Sequence, residues 1–193
     1  QIESHSLHSI IGPNGAGKTT LFNLLSGTME PTSGSVFLRQ KDITGTPSHK
    51  LAHLGLGRSF QITNIFPNLT VLENVRLAAQ ALGKDNLKIF NDYKGFTDYI
   101  DTAGEVIQRV GLEGKEDFFA KALPHGDKRK LELGILLAGN PEVLLLDEPT
   151  AGMSSDQVPN LIEIINQIRR EGGRTIVLVE HRMDVVMSIS DYI

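Results

Sequence analysis

The chain of 193 residues contains no cysteine and no tryptophan, and aromatic residues make up only 6% of it. The lack of cysteine excludes disulfides and thiolate chemistry. Long hydrophobic runs are also lacking. The run Val143–Leu146 is among the longest, whereas a membrane span needs about 20 apolar residues. We recognise no signal peptide and no internal repeat. These absences indicate a soluble protein of cytoplasmic type.

An excess of positive charge is lacking as well. The formal net charge is −4 at pH 7, from 19 basic and 23 acidic side chains. Non-specific binding of nucleic acid requires a basic surface, so we expect no nucleic-acid partner. The histidines other than His181 show no metal-ligand spacing with a carboxylate. The chain begins without methionine and stops soon after a predicted helix, so we expect a piece of a longer protein, truncated at both ends.

A glycine-rich stretch follows the first apolar segment. It matches the phosphate-binding pattern G-x-x-x-x-G-K-[ST], and with the next residue it consists of Gly12, Pro13, Asn14, Gly15, Ala16, Gly17, Lys18, Thr19 and Thr20. Glycines let backbone N–H groups point at an anion, and the helix that follows adds the positive end of its dipole. Lys18 can reach the β- and γ-phosphates of a nucleotide, and the Thr19 hydroxyl is a suitable hard oxygen ligand for Mg²⁺. The stretch therefore predicts a nucleotide phosphate site.

The hydrophobic pattern predicts an α/β protein with a helical insertion. Continuous apolar strands are predicted at Val143–Leu146 and Thr175–Val179, as in buried parallel sheets. Earlier in the chain than these two strands, Thr70 and Glu73 form a capping box that starts a helix ending at Gly83. The chain therefore alternates between an α/β core and a mainly helical segment.

We expect two parts on this basis. Residues 1–61 and 136–193 are predicted to form the α/β core that carries the phosphate-binding loop, and residues 62–135 to form a helical subdomain. The last predicted helix carries Met183 and Met187 on its apolar stripe, so both methionines are predicted to fill the core.

Polar side chains follow the two buried strands. Asp147 emerges at the carboxyl end of one strand, where it can hold Mg²⁺ through water. Glu148 can orient or deprotonate a water that attacks the γ-phosphate. On its own, this pair would fit a solvated acidic turn, but a phosphate-binding loop in the same chain favours the catalytic interpretation. His181 follows the second strand and would reach the γ-phosphate.

Two further segments are candidates for nucleotide chemistry. Gln61 has a side-chain carbonyl that can bind Mg²⁺, although the local sequence fits an ordinary loop glutamine equally well. A turn before a helix offers a second set of backbone donors to an anion; it consists of Leu123, Pro124, His125, Gly126 and Asp127. Two anion sites in one chain indicate that the second one serves a nucleotide held by another copy.

Together these residues resemble the ATP-binding cassette (ABC) family over essentially the whole chain. The matching motifs are Walker A (Gly12–Thr20), the Q-loop (Gln61), the signature (Leu123–Asp127), Walker B (Val143–Glu148) and the switch histidine (His181). The resemblance implies a P-loop NTPase (RecA-like) core and Mg²⁺-dependent ATP hydrolysis. It assigns catalysis to Glu148, His181, Lys18 and Gln61, and metal binding to Thr19, Gln61 and Asp147. It also implies a head-to-tail dimer that holds two ATP molecules between Walker A and signature motifs.

In more detail, the chain resembles the ATPases of branched-chain amino-acid importers. The segments that carry this resemblance are Gly57–Gln61, Gly126–Glu132, Thr150–Met153 and Val179–Asp184. The implied partners are a second cassette in a homo- or heterodimer, transmembrane permease subunits and, indirectly, a substrate-binding protein. The implied location is the cytoplasm, peripheral on the inner face of the cell membrane. Phe66 and Leu69 are candidate contacts for the permease. Urea and amide importers share much of this pattern and remain an alternative.

Two other classes are also considered. A soluble ABC-type ATPase that acts on DNA or the ribosome remains open, although the segment between Gln61 and Leu123 lacks the sustained heptads of chromosome-maintenance relatives. A P-loop kinase is disfavoured because a kinase closes its site with its own lid and needs no signature-like segment.

The sequence departs from the family pattern in two places. Family signatures usually have serine in second position, where this chain has Pro124, so hydrolysis could be slower. Residues 1–11 contain no aromatic side chain that could stack on adenine. We therefore hypothesise that the chain by itself binds ATP weakly, and a low-micromolar affinity in a nucleotide titration would contradict this.

Overall fold

A computed structural model of the chain describes residues 1–59, 65–83 and 97–193. Its strands are β1 (Leu7–Ile10), β2 (Phe37–Leu38), β3 (Lys41–Asp42), β4 (Leu56–Arg58), β5 (Val143–Asp147) and β6 (Thr175–Val179). Its helices are α1 (Lys18–Leu25), α2 (Ser48–His53), α3 (Val71–Ala81), α4 (Thr97–Arg109), α5 (His125–Ala138), α6 (Val158–Gly172) and α7 (Met183–Ile189). A 3₁₀ turn spans Ala120–Ala122. None of these helices is long and apolar enough to cross a lipid bilayer.

Four parallel strands form the main sheet in the order β1-β6-β5-β4. The central strands β5 and β6 are buried along almost their whole length. Central strands of a parallel sheet are covered on both faces, which is why these two segments are continuously apolar rather than alternating. Strands β2 and β3 form a separate antiparallel pair. The predicted α/β fold is confirmed.

A hydrophobic cluster joins α1 to the main sheet. Its buried members are Phe22, Ile43, Leu51, Leu56, Leu145, Val177 and Val179. Phe22 is completely buried, and its burial contributes about 1.5–3 kcal/mol to folding. Helix α1 ends where Gly27 takes a left-handed conformation and donates its N–H to the carbonyl of Leu24, as a C-terminal glycine does. Gly27 therefore marks the end of the helix that follows the phosphate loop.

Helix α3 begins at the predicted cap. The hydroxyl of Thr70 accepts a hydrogen bond of 3.1 Å from the N–H of Glu73, which satisfies one of the first backbone donors of the helix. The Glu73 carboxylate pairs with Arg76 on the next turn. The side-chain hydrogen bond that caps the helix is therefore the one accepted by the Thr70 hydroxyl.

The chain divides into two compact units. Unit 1 consists of residues 1–61, 141–149 and 166–193, and unit 2 consists of residues 62–140 and 150–165. The boundary at residue 61 coincides with the predicted one, whereas residues 136–140 and 150–165, predicted in the core, group with unit 2. The division into a nucleotide-binding core and a helical subdomain, as the sequence analysis gives it, stays a prediction.

The prediction for the methionines of α7 was wrong. Met183 is 50% exposed and Met187 is 70% exposed, whereas the buried face of α7 consists of Val185, Val186 and Ile189. A seven-residue helix has less than two full turns, so its sequence does not fix which side faces the core.

Candidate functional site

The phosphate-binding loop lies between β1 and α1 in unit 1, as the sequence predicted. Gly15 and Gly17 have φ angles of 82° and 89°, in the left-handed region that glycine adopts without strain. Gly17 is the N-cap of α1, so the loop leads directly into the first turn of the helix. The first N–H groups of a helix have no intrahelical partner and bind anions.

The Lys18 ammonium group lies along the loop. Its Nζ donates hydrogen bonds to the carbonyls of Gly12 at 2.8 Å and of Pro13 at 3.0 Å. The side chain thus folds back over the turn at the start of α1, and its charge lies beside the backbone groups that would bind phosphate. Thr19 and Thr20 follow in the first turn of α1 and are exposed.

The ends of three parallel strands align beside this loop. Val179 at the end of β6 is in register with Ile10 of β1 on one side and with Asp147 of β5 on the other. The carboxyl ends of parallel strands share one edge of the sheet, where α/β proteins bind their ligands. This register therefore brings the loop after β1, Glu148 after β5 and His181 after β6 to the same edge.

Glu148 and His181 are in contact. His181 Nε2 lies 2.9 Å from Glu148 Oε1, at hydrogen-bond distance. The backbone of Glu148 has a φ of 48°, which is uncommon for a residue other than glycine. Its N–H donates to the carbonyl of Val179 at 2.9 Å, so β6 holds this turn. The two side chains are predicted catalytic groups, and the fold brings them together.

Glu180 supports this pair, and the sequence reasoning gave it no role. It is 3% exposed, and its Oε1 accepts hydrogen bonds from the N–H groups of His181 at 3.0 Å and Arg182 at 3.2 Å. Arg182 is the N-cap of α7. The sequence signal that could have pointed to Glu180 was an acidic residue between a predicted buried strand and a histidine. The contacts fix the backbone from which His181 projects.

Asp147 is buried beside the same edge. Burial raises the pKa of its carboxyl group above the ordinary value of 3.8, the positive charge of Arg58 opposes this, and the neighbouring charge of Glu148 adds to it. Burial also lowers the pKa of Arg58, which Asp147 opposes in turn. The two groups therefore share a site where ionisation is costly unless another charge is near.

The described residues fit a magnesium ion at this edge. Both carboxylate oxygens of Asp147 are buried, and neither has a hydrogen-bond partner in the described part of the chain. Mg²⁺ prefers carboxylate, hydroxyl and phosphate oxygens and usually keeps several waters. Thr19 is exposed in the first turn of α1, and its hydroxyl oxygen is the second candidate ligand for Mg²⁺. Gln61, the third predicted ligand, lies outside the described residues.

Arg58 and Ser59 also shape this edge, and the sequence reasoning assigned neither of them a role. The hydroxyl of Ser59 accepts a hydrogen bond of 3.1 Å from the backbone N–H of Asp147. The N–H of Ser59 donates to the carbonyl of Leu145 at 2.9 Å. The partner of Arg58 could not be read from the sequence, because Asp147 lies far along the chain from it.

The predicted signature residues lie in unit 2. Leu123 is buried, Pro124 is the N-cap of α5, and His125, Gly126 and Asp127 form the first turn. The turn before a helix is thus as predicted, and its backbone donors suit an anion.

Neighbours within unit 2 constrain two adjacent residues of this first turn. A Cβ added to Gly126 would approach the Gln157 carboxamide to 2.8 Å, so only glycine fits there without a shift of that side chain. The Asp127 carboxylate pairs with Lys115 at 2.5 Å. These contacts fix the start of α5.

Comparison with known proteins agrees with these features. A protein-family model described as ABC transporter matches residues 1–151. LivG of Salmonella typhimurium, a high-affinity branched-chain amino acid transport ATP-binding protein, is 37% identical over 198 residues, which cover 100% of this chain and 78% of LivG. BraF of Pseudomonas aeruginosa, with the same description, is 35% identical over 198 residues, with the same coverage of 100% and 78%.

A solved structure of similar fold carries the products of hydrolysis. It is a dimeric ATP-binding cassette in a post-hydrolysis state, bound to ADP and Pi, with a TM-score of 0.79 and 26% identity over 96% of this chain and 78% of that one. The family match and the relatives both include the phosphate loop, the signature and the Asp147-Glu148 pair. The chain therefore belongs to the ABC transporter family, as one of its ATP-binding cassettes.

Proposed function

We propose that this chain is the ATP-hydrolysing subunit of an importer and couples ATP-driven closure of a cassette dimer to the uptake of branched-chain amino acids. The single observation that carries the catalytic part is the contact between Glu148 and His181 at the sheet edge where the phosphate loop begins. The names of LivG and BraF support the substrate class.

The phosphate loop would bind the triphosphate. The backbone N–H groups from Gly15 to Thr19 donate to phosphate oxygens, and the Lys18 ammonium neutralises the charge of the β- and γ-phosphates. Lys18 exchanges its hydrogen bonds with the loop carbonyls of Gly12 and Pro13 for bonds to phosphate. The bonds to the neutral carbonyls become bonds to phosphate oxygens of opposite charge, and this added charge–charge attraction favours binding.

Glu148 would act as the general base. Its carboxylate accepts the proton of a water whose oxygen attacks the γ-phosphorus, while the bond from that phosphorus to the bridging oxygen of ADP breaks. His181 holds the carboxylate through its ring N–H and lies where it can also contact the γ-phosphate. The Val179 carbonyl fixes the Glu148 backbone, so the base stays in place during the reaction.

Thr19, Asp147 and Gln61 would hold Mg²⁺, which supplies neutralising charge to the phosphates when bound. The buried carboxylate oxygens of Asp147, which accept no hydrogen bond from the described residues, support this assignment.

The signature would complete the site of a second cassette. Helix α5 presents the first-turn donors of Gly126 and Asp127, which suit the γ-phosphate of a nucleotide bound to the partner. The dimeric relative that holds ADP and Pi supports this arrangement. A nucleotide gripped by both cassettes favours the closed dimer, and its hydrolysis reopens it.

Transmembrane permease subunits would convert this closure into transport. We propose that they contact unit 2, where Phe66 is 56% exposed and Phe118 and Phe119 are exposed to a similar degree. The segments that carry these rings are hydrogen-bonded together, from the Val71 N–H to the Phe118 carbonyl. An exposed aromatic surface on a rigid support is typical of a protein interface. Such contacts make the protein peripheral on the cytoplasmic face of the membrane, and a substrate-binding protein would act through the permease.

Lys18→Ala tests the proposal. In the transporter assembled with its permease in vesicles, we expect ATP hydrolysis to fall by about 10²-fold or more, and leucine uptake to fall with it. Lys50→Ala is the matched control, because Lys50 is an exposed lysine of unit 1 on α2. Undiminished hydrolysis in the Lys18 variant at saturating ATP would refute the role of the loop.

The transported solute needs its own comparison. Uptake of labelled leucine, isoleucine and valine by the unmodified assembly should exceed that of urea and short amides. Uptake of urea or amides alone would replace the branched-chain assignment with the alternative importer class.

A further inference from the structure

Arg58, at the end of β4, contacts the last turn of α1 and the C-cap residue that follows it. Its side chain is only 8% exposed. One guanidinium nitrogen, Nη1, donates to Asn23 Oδ1 at 2.8 Å and to Ser26 Oγ at 2.6 Å. The guanidinium carbon lies 5.8 Å from the centroid of the Phe22 ring, within the range of a cation–π interaction. Three contacts at the C-terminal end of one helix therefore hold the planar guanidinium of Arg58.

The other side of the same guanidinium faces Asp147. Nη2 lies 3.6 Å from Asp147 Oδ2, and the Asp147 side chain is 1% exposed. This distance is too long for a hydrogen bond but close enough for strong attraction in a buried place. The positive charge thus fixes the carboxylate without using its lone pairs, and both oxygens remain without a hydrogen-bond partner in the described residues.

The neighbouring Ser59 holds the backbone at the same point. Its hydroxyl accepts the N–H of Asp147, while its own N–H donates to the Leu145 carbonyl. Arg58 and Ser59 together therefore hold both the side chain and the backbone of Asp147. The helix that Arg58 grips is the one that begins with Lys18 and Thr19.

Resting on the proposed function, we propose that Arg58 is a positioning residue of the nucleotide site: it clamps α1 to the end of β5, so that Asp147 is presented to a phosphate-bound Mg²⁺ at a fixed place relative to Thr19. Arg58 touches neither phosphate nor metal and acts through Asp147. A lysine cannot replace it fully, because one ammonium group lacks the planar fork that reaches Asn23, Ser26 and Asp147 together.

The test separates the magnesium-dependent part of nucleotide binding from the rest. ADP is titrated calorimetrically into the protein with excess Mg²⁺ and again with excess EDTA, and the ratio of the two affinities is the magnesium gain. Arg58→Met should keep the EDTA affinity within about threefold and lose about 10-fold or more of the magnesium gain, as changes behind a metal ligand do. Arg58→Lys should recover part of the gain.

Arg169→Met is the matched control. Arg169 forms its own ion pair with Asp191 at 2.8 Å in unit 1, so Arg169→Met removes a guanidinium and a charge pair elsewhere. We expect an unchanged magnesium gain.

Two results would overturn the proposal. The first is an unchanged magnesium gain in Arg58→Met, which includes equal losses of affinity with Mg²⁺ and with EDTA, the mark of a structural role alone. If circular dichroism shows that Arg58→Met is unfolded, Asn23→Ala replaces it, because that change loosens the Arg58 anchor and keeps both charges. An unchanged gain in Asn23→Ala is the second. Failure of the unmodified protein to bind ADP in either buffer would refute the proposed function and the Arg58 proposal together.

Discussion

Glu148→Gln is the most selective perturbation of the proposed site, because the structure predicts little effect of this change on folding and on local contacts. The side chain is 27% exposed, and glutamine has the same shape. Its amide oxygen can still accept the ring N–H of His181. The left-handed backbone and the bond from the Glu148 N–H to the Val179 carbonyl are the same for both residues. We therefore expect the free energy of unfolding to change by no more than about 0.5 kcal/mol.

The catalytic effect follows from what the amide cannot do. Glutamine does not accept a proton from water, and a positioned general base contributes about 10²–10⁴-fold to the rate. This corresponds to about 3–5 kcal/mol in the activation barrier. In the proposed site, ATP binding depends on the phosphate loop and on Lys18, and the substitution changes neither of them. Turnover should fall by this factor, and ATP affinity should stay the same or increase.

Three measurements on the same preparation check this prediction. Phosphate release at saturating ATP gives turnover, and equilibrium binding of ATP gives affinity; size-exclusion chromatography with ATP should show a trapped dimer. Glu142→Gln is the matched control, since Glu142 precedes β5 at its opposite end and is exposed, paired with Arg39. Turnover of Glu148→Gln within about threefold of the unmodified protein, far from the 10² expected, would refute the role of general base.

Two further predictions concern the charge at Asp147 and the signature. Because burial raises the pKa of Asp147 above 3.8, the folded protein binds this proton more tightly than the unfolded chain, and ionisation removes stability as pH rises through the folded pKa. In urea titrations without nucleotide, the free energy of unfolding of Asp147→Asn relative to the unmodified protein should rise between about pH 3 and about pH 7; a difference independent of pH contradicts the burial effect. Pro124→Ser places a hydroxyl at the N-cap of α5, and one added hydrogen bond to phosphate should raise kcat/KM for ATP by about 10-fold. Unchanged steady-state kinetics would show that Pro124 does not limit hydrolysis.

Local patterns were predicted well because a few adjacent residues decide them. The loop from Gly12 to Thr19 needs only its glycines and the helix that follows. Thr70 caps α3 through a bond across three residues, and β5 and β6 were readable because buried parallel strands are continuously apolar. The exposure of Met183 and Met187 was not readable, because a short helix satisfies its apolar pattern with more than one orientation.

By itself, the sequence determined where the buried strands β5 and β6 lie, which loop has the phosphate-binding pattern and which side chains follow these two strands, since these features depend on neighbours along the chain. Only the tertiary structure decided that Val179 pairs with both Ile10 and Asp147, which places Glu148 against His181. It also decided that Arg58 lies between α1 and Asp147. Strand register and buried ion pairs join residues far apart in the chain, and their energies depend on distance and burial that no local pattern encodes.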